Sequence, residues 1–230
     1  MTPPAERVTM RTAKQPFTFI GCVELRQGLD RRAQDERELM DLLEEVPAGS
    51  VFYHTHGYFL RHRPLTTAYG NDFATWVAVQ VRDQVLAERL AIVNPFEFRT
   101  LEELRDELVT TVHDHLTHLS SVPRVEFGEP FYFQQSHIVE VPLGTGATTL
   151  AEFRDGLAEV DSSAIYFHMV EARARLGRRS GDFAEWILTS IGLPQLAERI
   201  ERIDAYMTSL ERVRARVLSL VDQVLEEERA

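Results

Sequence analysis

Cysteine occurs once, at Cys22, and lysine once, at Lys14, among 25 basic residues. A lone thiol permits no intrachain disulfide and excludes every CxxC redox or zinc motif, as expected of a reducing compartment. No apolar run approaches the roughly eighteen residues that a membrane span needs. The opening MTPPAERVTMRTAKQ carries no apolar core of a signal peptide, so a soluble, cytoplasmic protein is expected. GxSxG and HExxH are absent, and Gly144-Thr-Gly146 lacks the lysine of a phosphate loop. Basic charge is also in deficit. A net charge of −11 argues against a non-specific grip on nucleic acid or on an anionic membrane.

What is present is a repetition. Sliding the chain on itself by 114 residues places Pro16, Phe17 and Phe19 on Pro130, Phe131 and Phe133. The same shift places Leu29, Ala33, Glu38, Leu43 and His54 on Leu143, Ala147, Glu152, Leu157 and His168. After a short slip, Asp72-Phe-Ala-x-Trp76 meets Asp182-Phe-Ala-x-Trp186, and Leu86-Ala-Glu-Arg89 meets Leu196-Ala-Glu-Arg199. Ordered blocks with short gaps at a period near 110 residues indicate an internal duplication, not a solenoid.

Local signals fill in each copy. Phe17–Leu25 and Phe131–Val141 are rich in aromatic and β-branched residues and read as short strands that could pair across a pseudo-twofold axis. Asp35-x-x-Glu38 and Thr149-x-x-Glu152 are capping boxes that open the first helix of each copy. Asp72 and Asp182 read as N-caps of the DFAxW helices, and Thr100 and Thr208 as caps of the last ones. The spacing predicts a mainly α fold, two tandem copies of a helical module with about four helices and one short strand each, related by a pseudo-twofold axis. The predicted boundaries are a flexible tail at 1–15, copy one at 16–119, a linker at 120–129 and copy two at 130–226.

The pattern PFxF, a Glu-bearing helix, S-x-x-x-H, DFAxW and LAER, twice per chain, resembles an uncharacterised domain-of-unknown-function family of bacterial and archaeal proteins. The likeness covers almost the whole chain. It implies a two-copy helical protein and brings no activity and no catalytic residue.

Residues shared by both copies are first suspected of serving the fold. His54 and His168 could nonetheless join His56 and Glu171 as metal ligands, although the ExxH spacing of carboxylate-bridged bundles is absent. His115 and His118 share a helix face and could hold a surface ion. Among unshared residues, Arg173, Arg175, Arg178 and Arg179 crowd the approach to the second DFAxW helix, with Arg61 and Arg63 in the matching place in copy one. Guanidinium groups beside a helix N-terminus suit a phosphate or carboxylate. The expectation is therefore a non-enzymatic regulatory or scaffold protein without cofactor. It would bind a protein partner or a small anionic metabolite between the modules, and a homodimer is left open. The alternative is a metal-dependent enzyme with a His/Glu site on the His54 and His168 helices.

Overall fold

A computed structural model describes residues 11–61, 69–122, 124–125, 128–173, 180–206 and 208–229. Two strands run far beyond the short segments expected: β1 spans Thr12–Ala33, starting inside the stretch read as a tail, and β2 spans Phe131–Thr149. They pair antiparallel into one two-stranded ribbon. Between them come α1 (Glu36–Glu45), α2 (Ala48–His54), α3 (Tyr58–Arg61), α4 (Asp72–Trp76), α5 (Gln84–Ala91) and α6 (Leu101–Leu116). After β2 come α7 (Leu150–Glu159), α8 (Ser162–Tyr166), α9 (Asp182–Trp186), α10 (Pro194–Glu201) and α11 (Leu210–Glu227). Single π-helical turns extend α4, α8 and α9, over Val77–Val81, Phe167–Glu171 and Ile187–Ile191.

The ribbon overturns the mainly-α, tandem-module expectation. Among the described residues strand makes up 21% against 57% helix, so the fold is an α/β mix. Nor do the two halves stand one after the other as separate bodies. Phe17 and Phe19, from the first half, are buried in the core formed by α7 to α11. Phe131 and Phe133, from the second half, are buried in the core formed by α1 to α6. Each hydrophobic core is thus completed by the strand that opens the other half. The physical reason is the pairing itself. Antiparallel strands of this length run past one another, so each carries its N-terminal aromatics to the far end of its partner. There Phe17 lies opposite Ala147, and Phe131 opposite Ala33.

The register is symmetric about the Glu24–Ile138 pair, with Val23 opposite Val139 and Leu25 opposite His137. The aromatic contacts recur in the same way. Phe17 lies 4.9 Å from the His168 ring and 5.5 Å from Trp186; Phe131 lies 4.7 Å from His54 and 5.7 Å from Trp76. Both tryptophans are buried, and their indole N–H groups donate to the carbonyls of Glu129 and Gln15, the residues just ahead of the Pro–Phe pairs. A strand-to-helix aromatic knot at each end of the ribbon is what repeats.

The capping boxes form as read. Glu38 N–H donates to Asp35 while Gln34 N–H donates to Glu38, and the Thr148–Thr149–Glu152 set repeats the pattern. Thr100 also caps α6 as read, accepting from the Glu103 N–H, whereas the remaining caps differ by one residue. Asn71 caps α4 by accepting from the Ala74 N–H, Gly181 precedes α9, and Ser209 caps α11 in place of Thr208. Asp72 and Asp182 are thereby released from capping. Among the described residues no helix is long and apolar enough to cross a membrane.

Candidate functional site

The released aspartates meet the two shared histidines. His54 Nδ1 lies 2.9 Å from an Asp72 oxygen, and His168 Nδ1 lies 2.8 Å from an Asp182 oxygen. On the far side of each ring, Nε2 accepts a backbone N–H from the ribbon: Gln134 of β2 for His54, at 3.0 Å, and Ile20 of β1 for His168, at 2.9 Å. An imidazole nitrogen that accepts an N–H carries no proton of its own, so the proton sits on Nδ1 and is donated to the carboxylate. Burial holds His54 below the ordinary imidazole range, against the opposing pull of Asp72. Each histidine therefore pins one strand of the ribbon to a helix of the opposite half.

This arrangement sets the terms for the expected metal ligands. His54, in α2, bonds to β2 and His168, in the π turn after α8, bonds to β1, and both ring nitrogens of both residues are engaged within the chain. His56 is buried, stacked on Phe52 and edge-on to Phe96, with Thr55 3.1 Å from Nδ1. Burial pushes its pKa down to about 4, so it too is neutral. Glu171 is half-buried at the end of the second π turn, within electrostatic reach of Cys22 and Tyr166. The structure does not gather these four into one ligand set.

Of the arginines named as anion ligands, Arg63, Arg175, Arg178 and Arg179 lie outside the described residues. Arg61 lies 2.7 Å from Asp72 and 3.3 Å from Glu24, with its guanidinium 3.7 Å above the Tyr53 ring. Arg173 is half-buried, donates to the Glu201 carbonyl and sits over Phe96. Arg61 and His54 share Asp72, so two residues singled out in the sequence meet through a carboxylate whose spacing suggested a cap.

Arg61, Asp72, Glu24, His54, Tyr53 and Gln134 line an open cleft of about 780 Å³ against the ribbon. Of its two described guanidiniums, Arg61 is already matched by two carboxylates, while Arg26 is exposed. Glu24 and Asp72 are the residues that sequence reasoning passed over here. For Asp72 a signal existed: an Asp accompanies the His in both halves, which a cap alone does not require.

A family and a solved structure each match most of the chain. The chain belongs to DUF5752, a family of unknown function, which it matches over residues 14–222. It is similar to the solved structure of OrfY from Thermoproteus tenax. That likeness is 28% identical, with a TM-score of 0.79, and covers 92% of this chain and 96% of the other. No curated protein matches the sequence.

Proposed function

We propose that this DUF5752 protein is a non-catalytic, cytoplasmic binding protein that docks a protein partner on the outward face of its ribbon. The observation that carries the reading is the apolar strip at the ribbon's centre. Val23 and Val139 lie opposite each other, which puts them on one face. Leu25 and Val141, each two residues along its strand, share that face. Their exposures are 51%, 43%, 56% and 37%. The reverse face carries Cys22, Glu24 and Ile138 toward the helices, where Cys22 is buried and Ile138 packs on the second core. Four aliphatic side chains in contiguous array on a rigid, two-strand platform mark a contact surface more than isolated exposed residues do. The net charge of −11 favours a partner of opposite sign during encounter.

The His54–Asp72 and His168–Asp182 pairs contribute rigidity on this reading, fixing the ribbon that presents the strip. A small anion would have to rely on exposed Arg26 in the cleft, because Arg61 is already paired with Glu24 and Asp72.

Photo-crosslinking in the cells that make the protein tests the proposal. A benzoylphenylalanine at position 25 or 139 should yield an adduct of one and the same mass. The same group at Arg202, whose side chain is 74% exposed at the end of α10, should yield none. Adducts at Arg202 equal to those at the ribbon, or none anywhere, would rule the docking face out. An adduct of twice the chain's own mass would replace the foreign partner with a second copy.

A further inference from the structure

Glu36 is the first residue of α1 and is fully buried, yet neither of its carboxylate oxygens has a hydrogen-bond partner. A buried carboxyl left in this state is costly unless something compensates it. Its neighbours are not apolar. A Glu36 oxygen, an Asp83 oxygen and a His115 ring nitrogen all lie within 4.8 Å of one another. Asp83 is the N-cap of α5: one carboxylate oxygen accepts the Leu86 N–H, and the other faces His115 Nε2 at 2.8 Å. His115 stands in the last turn of α6 and is itself buried. The cap therefore fixes Asp83, and Asp83 aims its second oxygen at the imidazole. Burial, then Asp83 and Asp35, push the Glu36 carboxyl up to about 7.

The second half of the chain supplies an internal control. The residue that opens α7, where Glu36 opens α1, is Leu150. The N-cap of α10, where Asp83 caps α5, is Leu193. The residue equally far along α11 as His115 along α6 is Val224. Leu150 is buried in the second core, and Leu193 and Val224 pack against it. The same helical arrangement is thus satisfied by three aliphatic side chains. Folding does not call for two carboxylates and an imidazole at these positions; only one half has them.

We propose that Glu36, Asp83 and His115 bind one first-row divalent cation, which ties the N-terminal ends of α1 and α5 to the C-terminal end of α6. Two carboxylate oxygens and one imidazole nitrogen, with no sulfur, suit Zn²⁺ or Mn²⁺. Metal–ligand bonds of roughly 2.0–2.2 Å require the three donor atoms to close to about 3.0–3.6 Å from one another. Rotation of the unpartnered Glu36 carboxyl achieves this, and the His115–Asp83 hydrogen bond gives way to two metal bonds. His115 then presents the lone pair of Nε2 and holds its proton on Nδ1. The cation supplies the positive charge that Glu36 lacks. Three protein ligands leave a position for water, and a site this enclosed gives the ion a clamping role within the first half.

The test uses the untagged full-length chain, stripped with chelator and titrated calorimetrically with Zn²⁺ and separately with Mn²⁺. The wild type should bind one ion per chain. Glu36→Gln and Asp83→Asn are neutral near-isosteres, and asparagine remains a good N-cap, so both should fold, as circular dichroism would show. Outer-ligand changes alone weaken metal sites roughly 10–100-fold, so loss of a direct ligand should weaken binding by at least about a hundredfold. A His113→Gln/His118→Gln double variant, which removes exposed histidines on the same helix and at its end, should bind as the wild type does. Absence of stoichiometric binding by the wild type would overturn the proposal. So would wild-type affinity in both Glu36→Gln and Asp83→Asn, or loss of binding in the His113/His118 variant.

Discussion

Phe17→Ala distinguishes exchanged strands from self-contained halves. The ring is 5% exposed and touches Phe19, Phe153, His168, Phe183 and Trp186, with centroid separations of 4.9–5.5 Å. Truncating a phenylalanine so enclosed costs about 3–5 kcal/mol, a large share of the roughly 5–15 kcal/mol that holds a typical domain together. With a urea dependence of about 3 kcal/mol per molar, at the upper end for small proteins, the midpoint should fall by roughly 1–1.7 M. The location of the damage is the sharper readout. Phe17 belongs to the first half in sequence, but its aromatic neighbours on helices all belong to the second. In a Trp76→Phe background the native emission of Trp186 should change when Phe17 is truncated, because the cavity opens 5.5 Å from the indole. In a Trp186→Phe background the native emission of Trp76 should stay as it was. The reverse pattern, with Trp76 responding and Trp186 silent, would refute the exchange of strands.

Three further outcomes are expected. His56 is depressed from 6.5 to about 4, so its contribution to stability is present above pH 6.5 and is lost as pH falls toward 4. Summed over that window the loss is on the order of 3 kcal/mol, and His56→Gln should flatten a plot of melting temperature against pH between those limits. Asp182→Asn removes the carboxylate that accepts the His168 Nδ1–H at 2.8 Å. It should cost about 1–3 kcal/mol and speed amide exchange at Ile20, whose N–H donates to that ring; unchanged exchange there would free His168 of its pinning role. The triple variant Glu36→Leu/Asp83→Leu/His115→Val installs the aliphatic set found at Leu150, Leu193 and Val224. It should fold and melt no lower than the metal-free wild type, and a collapse of the fold would show that the triad serves packing after all.

What the sequence made legible follows the range of each interaction. The capping boxes at Asp35/Glu38 and Thr149/Glu152 involve residues three apart, and both form as their spacing predicts. The duplication was legible because it is a property of the sequence alone. The ribbon was not. Gln27–Arg32 and Pro142–Thr148 contain glycine and few β-branched or aromatic residues, and they fall outside the two short strands expected. They are extended because each supplies backbone partners to the other strand, including Arg32 opposite Tyr132 and Thr18 opposite Gly146. Exchange of Phe17 and Phe131 between cores is equally non-local, and a strand's own residues do not name its partner.

The site followed the same rule. His54 and His168 stood out at once, but their partners were hidden behind a plausible local role, since Asp72 reads as a cap until Asn71 is seen to take that place. The Glu36–Asp83–His115 cluster draws its members from α1, α5 and α6, and His115 was read with His118 as a surface pair. In the fold His115 turns inward to Asp83 while His118 stays exposed near the Asp114 carbonyl. A signal was nevertheless available. Aligning the two halves sets Glu36 against Leu150, a charged residue where its counterpart is apolar, and that mismatch is visible without any structure.

The most direct measurement is a crystal of the full chain grown with Zn²⁺, with data collected above and below the zinc absorption edge. One anomalous peak is expected between Glu36, Asp83 and His115, within about 2.2 Å of a donor atom from each, and none among Leu150, Leu193 and Val224. A map that is empty at the first position, or that places zinc only on the exposed histidines, would contradict the metal clamp.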